Sequence, residues 1–216
     1  MTNMILYHFG TSPFARRVRL VLAHKGCSVE LRDPRANPEL QPELQRLSPM
    51  HTVPVLVDEQ RVIVDSAAIV QYLERKHPDP PIFPQGVAGT FAFELAALAD
   101  GAIAILLDLG GRYHALHDHP RFPKVRELIG GRAQRALDTM ADRVLARGNG
   151  VPLCGDTWSW ADIVVYTTVA WLEGLTIRAA TQPVPKQIVS LGWQLPAALS
   201  EWADQHRSRS DVLALG

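Results

Sequence analysis

Pro78, Pro80, Pro81 and Pro84 stand between His77 and Gly86, and neither a regular helix nor a central strand survives such a run. The chain must change character there. Before it, short β-rich runs alternate with helical segments; beyond it, strand signals are sparse and helical periodicity dominates. The expectation is a first domain over residues 1–78, a linker at 79–86, and an all-α domain over 87–216. A length of 216 residues gives two domains of this size enough core to fold.

Within the first part, Met4 to Phe9 reads as a strand, and Ser12-Pro13 reads as a helix start. Serine is a favoured cap, and proline at the first helical position gives up an N–H that had no partner. The free N–H groups and the positive end of the helix dipole there favour an anion. Apolar positions then recur to Lys25-Gly26, where glycine stops the helix. Residues 28–32 alternate like a strand, and 33–47 read as a loop with one short helix. Residues 50–57 and 61–64, with 58–60 as the turn, predict a β-hairpin, and Asp65-Ser66 opens a helix that ends before Pro78.

In the second part, helices are expected over about 91–113, 123–147, 160–178 and 196–206. Ser159-Trp160-Ala161-Asp162 has the form of a capping box, with Trp158 and Ile163 at the staple positions. That is a folding signal. The stretch 180–195, with Pro183 and Pro185, carries no clear element.

Acidic and basic side chains balance at 22 each, which gives no footprint for nucleic acid. Arg16, Arg17 and Arg19 read as a solvated helix face with packed stems. Cys27 and Cys154, far apart and outside any ligand spacing, read as structural thiols of a reducing, cytoplasmic setting. No charged leader and no run of about 18 apolar residues is visible, so no membrane partner is expected. His114, His117 and His119 lack the spacing of a metal site, and no metal is expected.

Three motifs in order, Ser12-Pro13-Phe14 with Arg17-Val18-Arg19, then Ser48-Pro49-Met50-His51-Thr52-Val53-Pro54, then Asp65-Ser66-Ala67-Ala68-Ile69, resemble the cytosolic glutathione transferases of the serine-type, bacterial-like kind. Residues 155–163 resemble the same family's helix start in the second domain. The resemblance implies a thioredoxin-like α/β N-terminal domain followed by an all-α helical C-terminal domain. It implies glutathione as cosubstrate, with the Ser12 hydroxyl donating to its sulfur and Phe14 beside it. A cis Val53-Pro54 peptide would present the Val53 backbone to the cysteinyl unit, while Asp65 attracts the γ-glutamyl ammonium and Ser66 holds its carboxylate.

Departures accompany the matches. Asp65 is shorter than the family's usual Glu or Gln, Thr52 stands where Lys or Gln is common, and Gln41 and His51 are left for the glycyl carboxylate. Tyr7 and Thr11 compete with Ser12 for the sulfur, although Tyr7 also reads as core. Arg112, Tyr113 and His114 are the implied second-substrate residues, with a plain helix end as the other reading. The implied activity is conjugation of glutathione to small hydrophobic electrophiles by a homodimer. A glutathione-dependent isomerase or dehalogenase, and a non-catalytic binding module, are the alternatives.

Overall fold

The computed structural model describes residues 4–148 and 150–213. The chain forms two compact units. The first runs to Ile82 and takes back the segment from Arg207, and the second runs from Phe83 to His206.

The first unit is built on four strands, β1 (Met4–Tyr7), β2 (Glu30–Arg32), β3 (Val55–Asp58) and β4 (Arg61–Val64), in the order β2-β1-β3-β4. β1 runs parallel to β2 and antiparallel to β3, and β3–β4 is the hairpin. The hairpin turn is tighter than expected, since Asp58 pairs with Arg61 and only Glu59 and Gln60 remain to make it. Helix α1 (Pro13–His24) follows β1, and α3 (Ser66–Lys76) follows β4. Between β2 and β3, Pro38–Leu40 makes a 3₁₀ turn that leads into α2 (Gln41–Leu47). This mixed sheet with helices is the α/β, thioredoxin-like arrangement expected.

Side-chain networks bind the unit together. Asp58, at the end of β3, is buried and accepts from the Tyr72 hydroxyl at 2.6 Å and from the Lys76 ammonium, both on α3. Burial pushes the Asp58 carboxyl up, but the hydrogen bonds from Lys76 and Tyr72 outweigh it and hold its pKa below the ordinary value. A carboxyl lowered on folding contributes stability that is present above the unfolded-state value and lost as pH falls through the folded one. Asp58→Asn should therefore cost about 2 kcal/mol at pH 7, the scale of a hydrogen bond to a charged group. In urea melts the gap between the two proteins should close as pH falls below 4; a gap independent of pH would mean that only packing was lost.

Arg17 corrects an expectation. Its side chain is 0 % exposed and lies 4.9 Å above the Phe14 ring, and Arg16 and Arg19 are only partly exposed. The arginine run is thus no solvated face: Arg17 is enclosed, and Arg16 and Arg19 are half-buried. The returning segment brings α10 (Ser210–Leu213) against α1. Asp211 accepts there from His24 Nδ1 at 3.1 Å and from Arg209 at 2.9 and 3.1 Å.

The second unit is all-α. Its helices are α4 (Val87–Leu116), α5 (Phe122–Val125), a π-helical turn Arg126–Gly130, α6 (Gly131–Arg147), α7 (Trp160–Arg178), α8 (Pro183–Val189) and α9 (Ala197–His206). α4 is longer than expected. Gly110-Gly111 does not end it, and Gly110 is the point where α8 crosses, since a Cβ there would stand 2.2 Å from Ile188 Cγ1. α4 is also long and apolar enough to cross a membrane; Leu95, Ile103 and Leu106 on it are buried, and α6, α7 and α8 pack against it. At the start of α7 the buried Asp162 carboxylate accepts from Ser159 N at 2.9 Å, Ser159 Oγ at 2.7 Å and Leu153 N at 2.8 Å, the capping box read from sequence.

Candidate functional site

Strand register gathers three of the sequence motifs at one end of the sheet. Tyr7 is opposite Val55 and Val55 is opposite Val64, so these three residues form a row across β1, β3 and β4. The residues just beyond that row are the 8–12 loop, Val53-Pro54 and Asp65-Ser66. Ala15 in the first turn of α1 and Val53 belong to one buried cluster with Tyr7, Leu44 and Val55.

Ser12 is the cap of α1, and its Oγ accepts from Ala15 N at 3.2 Å. That uses a lone pair and leaves the hydroxyl proton to donate outward. Val53-Pro54 is cis. Val53 precedes β3, and among the described residues neither its N–H nor its C=O has a hydrogen-bond partner. Asp65 caps α3 with Oδ1, which accepts from Ala67 N at 2.9 Å and Ala68 N at 3.1 Å, while Oδ2 has no partner among the described residues. Ser66, the first residue of α3, is buried.

Two helix N-termini, of α1 and α3, therefore stand at this end, each carrying its positive dipole end. Three non-glycine residues among those described have left-handed φ: Glu59 in the hairpin turn, and His51 (53°) and Asp65 (76°) flanking the Val53-Pro54 row. Such conformations concentrate where a site over-determines the backbone.

The other sequence-derived residues fall as follows. Phe14 is half-buried beneath Arg17. Thr52 is exposed, and its N–H donates to Ser48 Oγ at 3.0 Å. Gln41 Nε2 donates to the Pro34 carbonyl at 3.0 Å, which commits its amide to the loop beside it. Tyr7 is 1 % exposed, and its oxygen accepts from Arg32 Nη1 at 2.9 Å. Burial, with Glu43 beside it, raises the Tyr7 pKa against the opposing pull of Arg32, so it stays a neutral phenol of the core. Thr11 is exposed, and its hydroxyl accepts from Arg35 Nη1 at 3.4 Å. In the second unit, Arg112 is paired with Asp108 at 2.8 Å, and Tyr113 stacks on His117 and meets the edge of Phe122.

Both cysteine thiols are poorly ionised. Burial, then Asp162, pushes Cys154 up to about 11, and burial raises Cys27. Among the described residues no group of three or more His, Cys, Asp or Glu could hold a metal ion.

Arg35 was not legible in the sequence. It lies 4.0 Å over the Phe9 ring and is held at its backbone N by Asp33 Oδ1 at 2.8 Å. Arg19 Nη2 donates to the Gly10 carbonyl at 3.3 Å, so two guanidinium groups flank the loop that carries Ser12. No local pattern marks Arg35, because it reaches the loop from a segment 24 residues on, whereas Arg19 stands two turns along the helix that Ser12 opens.

Known proteins match both units. Residues 6–81 match the model described as Glutathione S-transferase, N-terminal domain, and residues 123–205 match Glutathione S-transferase, C-terminal domain. Glutathione S-transferase D7 of Drosophila melanogaster is 29 % identical over 214 residues, covering 90 % of this chain and 88 % of that protein. Glutathione S-transferase 1 of Dianthus caryophyllus is 45 % identical over 85 residues, a match spanning only 38 % of each chain. A glutathione S-transferase of Methylobacillus flagellatus KT, solved with glutathione bound, superposes with a TM-score of 0.73 at 25 % identity, covering 99 % of both chains.

Proposed function

Because this chain belongs to the cytosolic glutathione S-transferase family, we propose that it binds glutathione at the sheet end just described and transfers its sulfur to a small hydrophobic electrophile. The observation that carries this reading is the Ser12 hydroxyl, whose acceptor side is used by its own helix and whose proton is left for a sulfur. A donor and a helix N-terminus at one point favour the thiolate over the thiol, and Arg19 and Arg35 add positive field beside it.

The rest of the tripeptide has matching partners. The open N–H and C=O of Val53 suit the cysteinyl backbone in the manner of an added strand. The N-terminus of α3, with Ser66, suits the γ-glutamyl carboxylate, and Asp65 Oδ2 suits its ammonium. The working form is a homodimer in the cytoplasm.

Titration calorimetry with glutathione and turnover of 1-chloro-2,4-dinitrobenzene test the reading on the whole protein. Saturable binding with one glutathione consumed per product supports transfer. Glutathione returned unchanged after turnover of an isomerisable substrate would replace transfer with isomerisation, and no heat at millimolar ligand would overturn glutathione binding. Asp65→Asn separates the two roles of Asp65. The amide keeps an oxygen for the cap and loses the charge, so KM for glutathione should rise about tenfold, the factor 1.4 kcal/mol represents, with little change in melting temperature. An unchanged KM would remove Asp65 from ligand recognition.

A further inference from the structure

The β1–β2 ladder continues one residue past Tyr7, since His8 N donates to the Arg32 carbonyl at 2.9 Å. Ile5, Tyr7 and Phe9 pack with Leu44 and Leu47 on one face of the sheet, so the pleat sends the intervening His8 to the other face. There the residue is 8 % exposed, and its Nδ1 has no hydrogen-bond partner among the described residues.

A second buried nitrogen in this region is in the same condition. Arg19 Nε, on α1, has no partner among the described residues, while Arg19 Nη2 donates to the Gly10 carbonyl at 3.3 Å. Arg19 is also the cation whose charge bears on His8. A guanidinium nitrogen can only donate, and a neutral imidazole offers one nitrogen as acceptor. The two unsatisfied groups are therefore complementary, and buried polar groups are rarely left unpaired.

We propose that His8 is the positioning residue of the Ser12 loop: as a neutral ring it accepts from Arg19 Nε–H, directly or through one ordered water, and so steadies the guanidinium that grips Gly10. This rests on the reading of Ser12 as the donor to the glutathione sulfur. The loop is built to transmit the hold. Gly10 is gripped at both ends of its backbone, its carbonyl by Arg19 and its N–H by Asp33 Oδ2 at 3.2 Å, and Ser12 N donates to the Phe9 carbonyl at 3.0 Å.

The hold depends on charge. From α1, Arg19 faces the ring and Arg16 adds to the positive field at Arg19; from the end of β2, Asp33 acts on both; Pro54, next in register on β3, brings no charge. Burial, then Arg19, pushes the His8 pKa below the ordinary imidazole value, against Asp33 and the Phe9 backbone. An imidazole lowered on folding carries no penalty above its unfolded value and a growing one as pH falls below it. Protonated His8 no longer accepts at Nδ1 and repels Arg19, so the loop loosens on the acid side.

The test begins with NMR of the whole protein without glutathione. The His8 ring, assigned by its loss in His8→Asn, should titrate below the ordinary imidazole value, and the Gly10 and Ser12 amides should shift with the same midpoint. Amides that ignore His8 would overturn the assignment. Because no ligand is present, this readout separates the fate of His8 from that of glutathione binding. Turnover of 1-chloro-2,4-dinitrobenzene gives the second arm. His8→Phe keeps the bulk of the ring and loses the acceptor, so kcat should fall about tenfold at pH 7 with KM for glutathione little changed, the order one hydrogen bond to a charged donor represents. His8→Asn keeps an acceptor that takes up no proton; it should recover most of kcat and carry its rate to lower pH than wild type does. Full kcat in His8→Phe, or His8→Asn as slow as His8→Phe, would reduce His8 to packing. Thermal melts check that both variants fold, and should His8→Phe fail to, the wild-type titration decides alone.

Discussion

Ser12→Ala should lower kcat/KM for conjugation of 1-chloro-2,4-dinitrobenzene by roughly 10- to 100-fold at pH 7. The range follows from removing one hydrogen bond to a charged acceptor, about 1.5–3 kcal/mol. Two features make the loss specific. Ser12 Oγ now accepts from Ala15 N, so alanine also removes a cap, worth about 1 kcal/mol of stability. Stability and activity must therefore be read separately, by urea melts and by kinetics below the onset of unfolding. The pH profile carries the second signature. A bound thiol that loses its donor titrates nearer its free value of about 8.5, so the deficit should be deepest at low pH and shrink above pH 9. Ser12→Thr keeps both a cap and a donor and should restore most of the rate. A uniform loss at all pH values would mean that the cap is the whole role of Ser12. An undiminished rate would transfer the role to Thr11, since Tyr7 is enclosed in the core and bonded to Arg32.

What could be read in the sequence was local. Ser12-Pro13, Asp65-Ser66 and Ser159-x-x-Asp162 each pair a polar side chain with N–H groups two or three residues away, and such bonds depend on little beyond their own turn. The same reasoning left α8 unread. Pro183 and Pro185 obscure the helical pattern, yet both fall in the first turn of a helix, where the backbone N–H groups have no intrahelical partner to lose. Arg17 was misread because burial of a long cationic side chain is decided by what packs over it, and that is a tertiary fact. Arg35 beside Thr11 and the return of α10 to α1 have the same origin. The candidate site was therefore legible where a cap or a proline marked it. Its electrostatic surroundings were not, since Arg19 and Arg35 reach the loop across 9 and 24 positions, contacts that no cap or turn pattern encodes.

Lys25→Met should be the most damaging of these substitutions for stability, at about 3 kcal/mol. The sequence offers Lys25 only as the residue before a glycine helix stop. In the structure its side chain is 0 % exposed, and its ammonium donates to the carbonyls of His77 at 2.7 Å and Pro80 at 2.8 Å and pairs with Glu74 at 2.7 Å. Glu74 in turn accepts from Ile82 N at 3.1 and 3.2 Å. One ammonium thus satisfies three acceptors and ties the end of α1 to α3 and to the proline-rich segment. Breaking a buried pair leaves an uncompensated charge and typically costs 3–5 kcal/mol; the lower end applies because Glu74 is 20 % exposed and partly rehydrates. The double variant Lys25→Met, Glu74→Leu should recover part of the loss, and the cycle of four proteins gives the coupling directly. A loss below about 1 kcal/mol would reduce the network to an ordinary surface ion pair. α1 carries Ser12 at its N-terminal cap and Lys25 at its C-terminal cap, twelve helical residues apart. Loosening the far end frees the helix to fray and tilt, so the site at the near end should lose rate in Lys25→Met even at temperatures where the protein is folded. That loss should lie in kcat more than in KM, because in the proposed binding mode α1 meets glutathione at the sulfur through Ser12, while Val53 and Asp65 hold the rest of the tripeptide from outside α1.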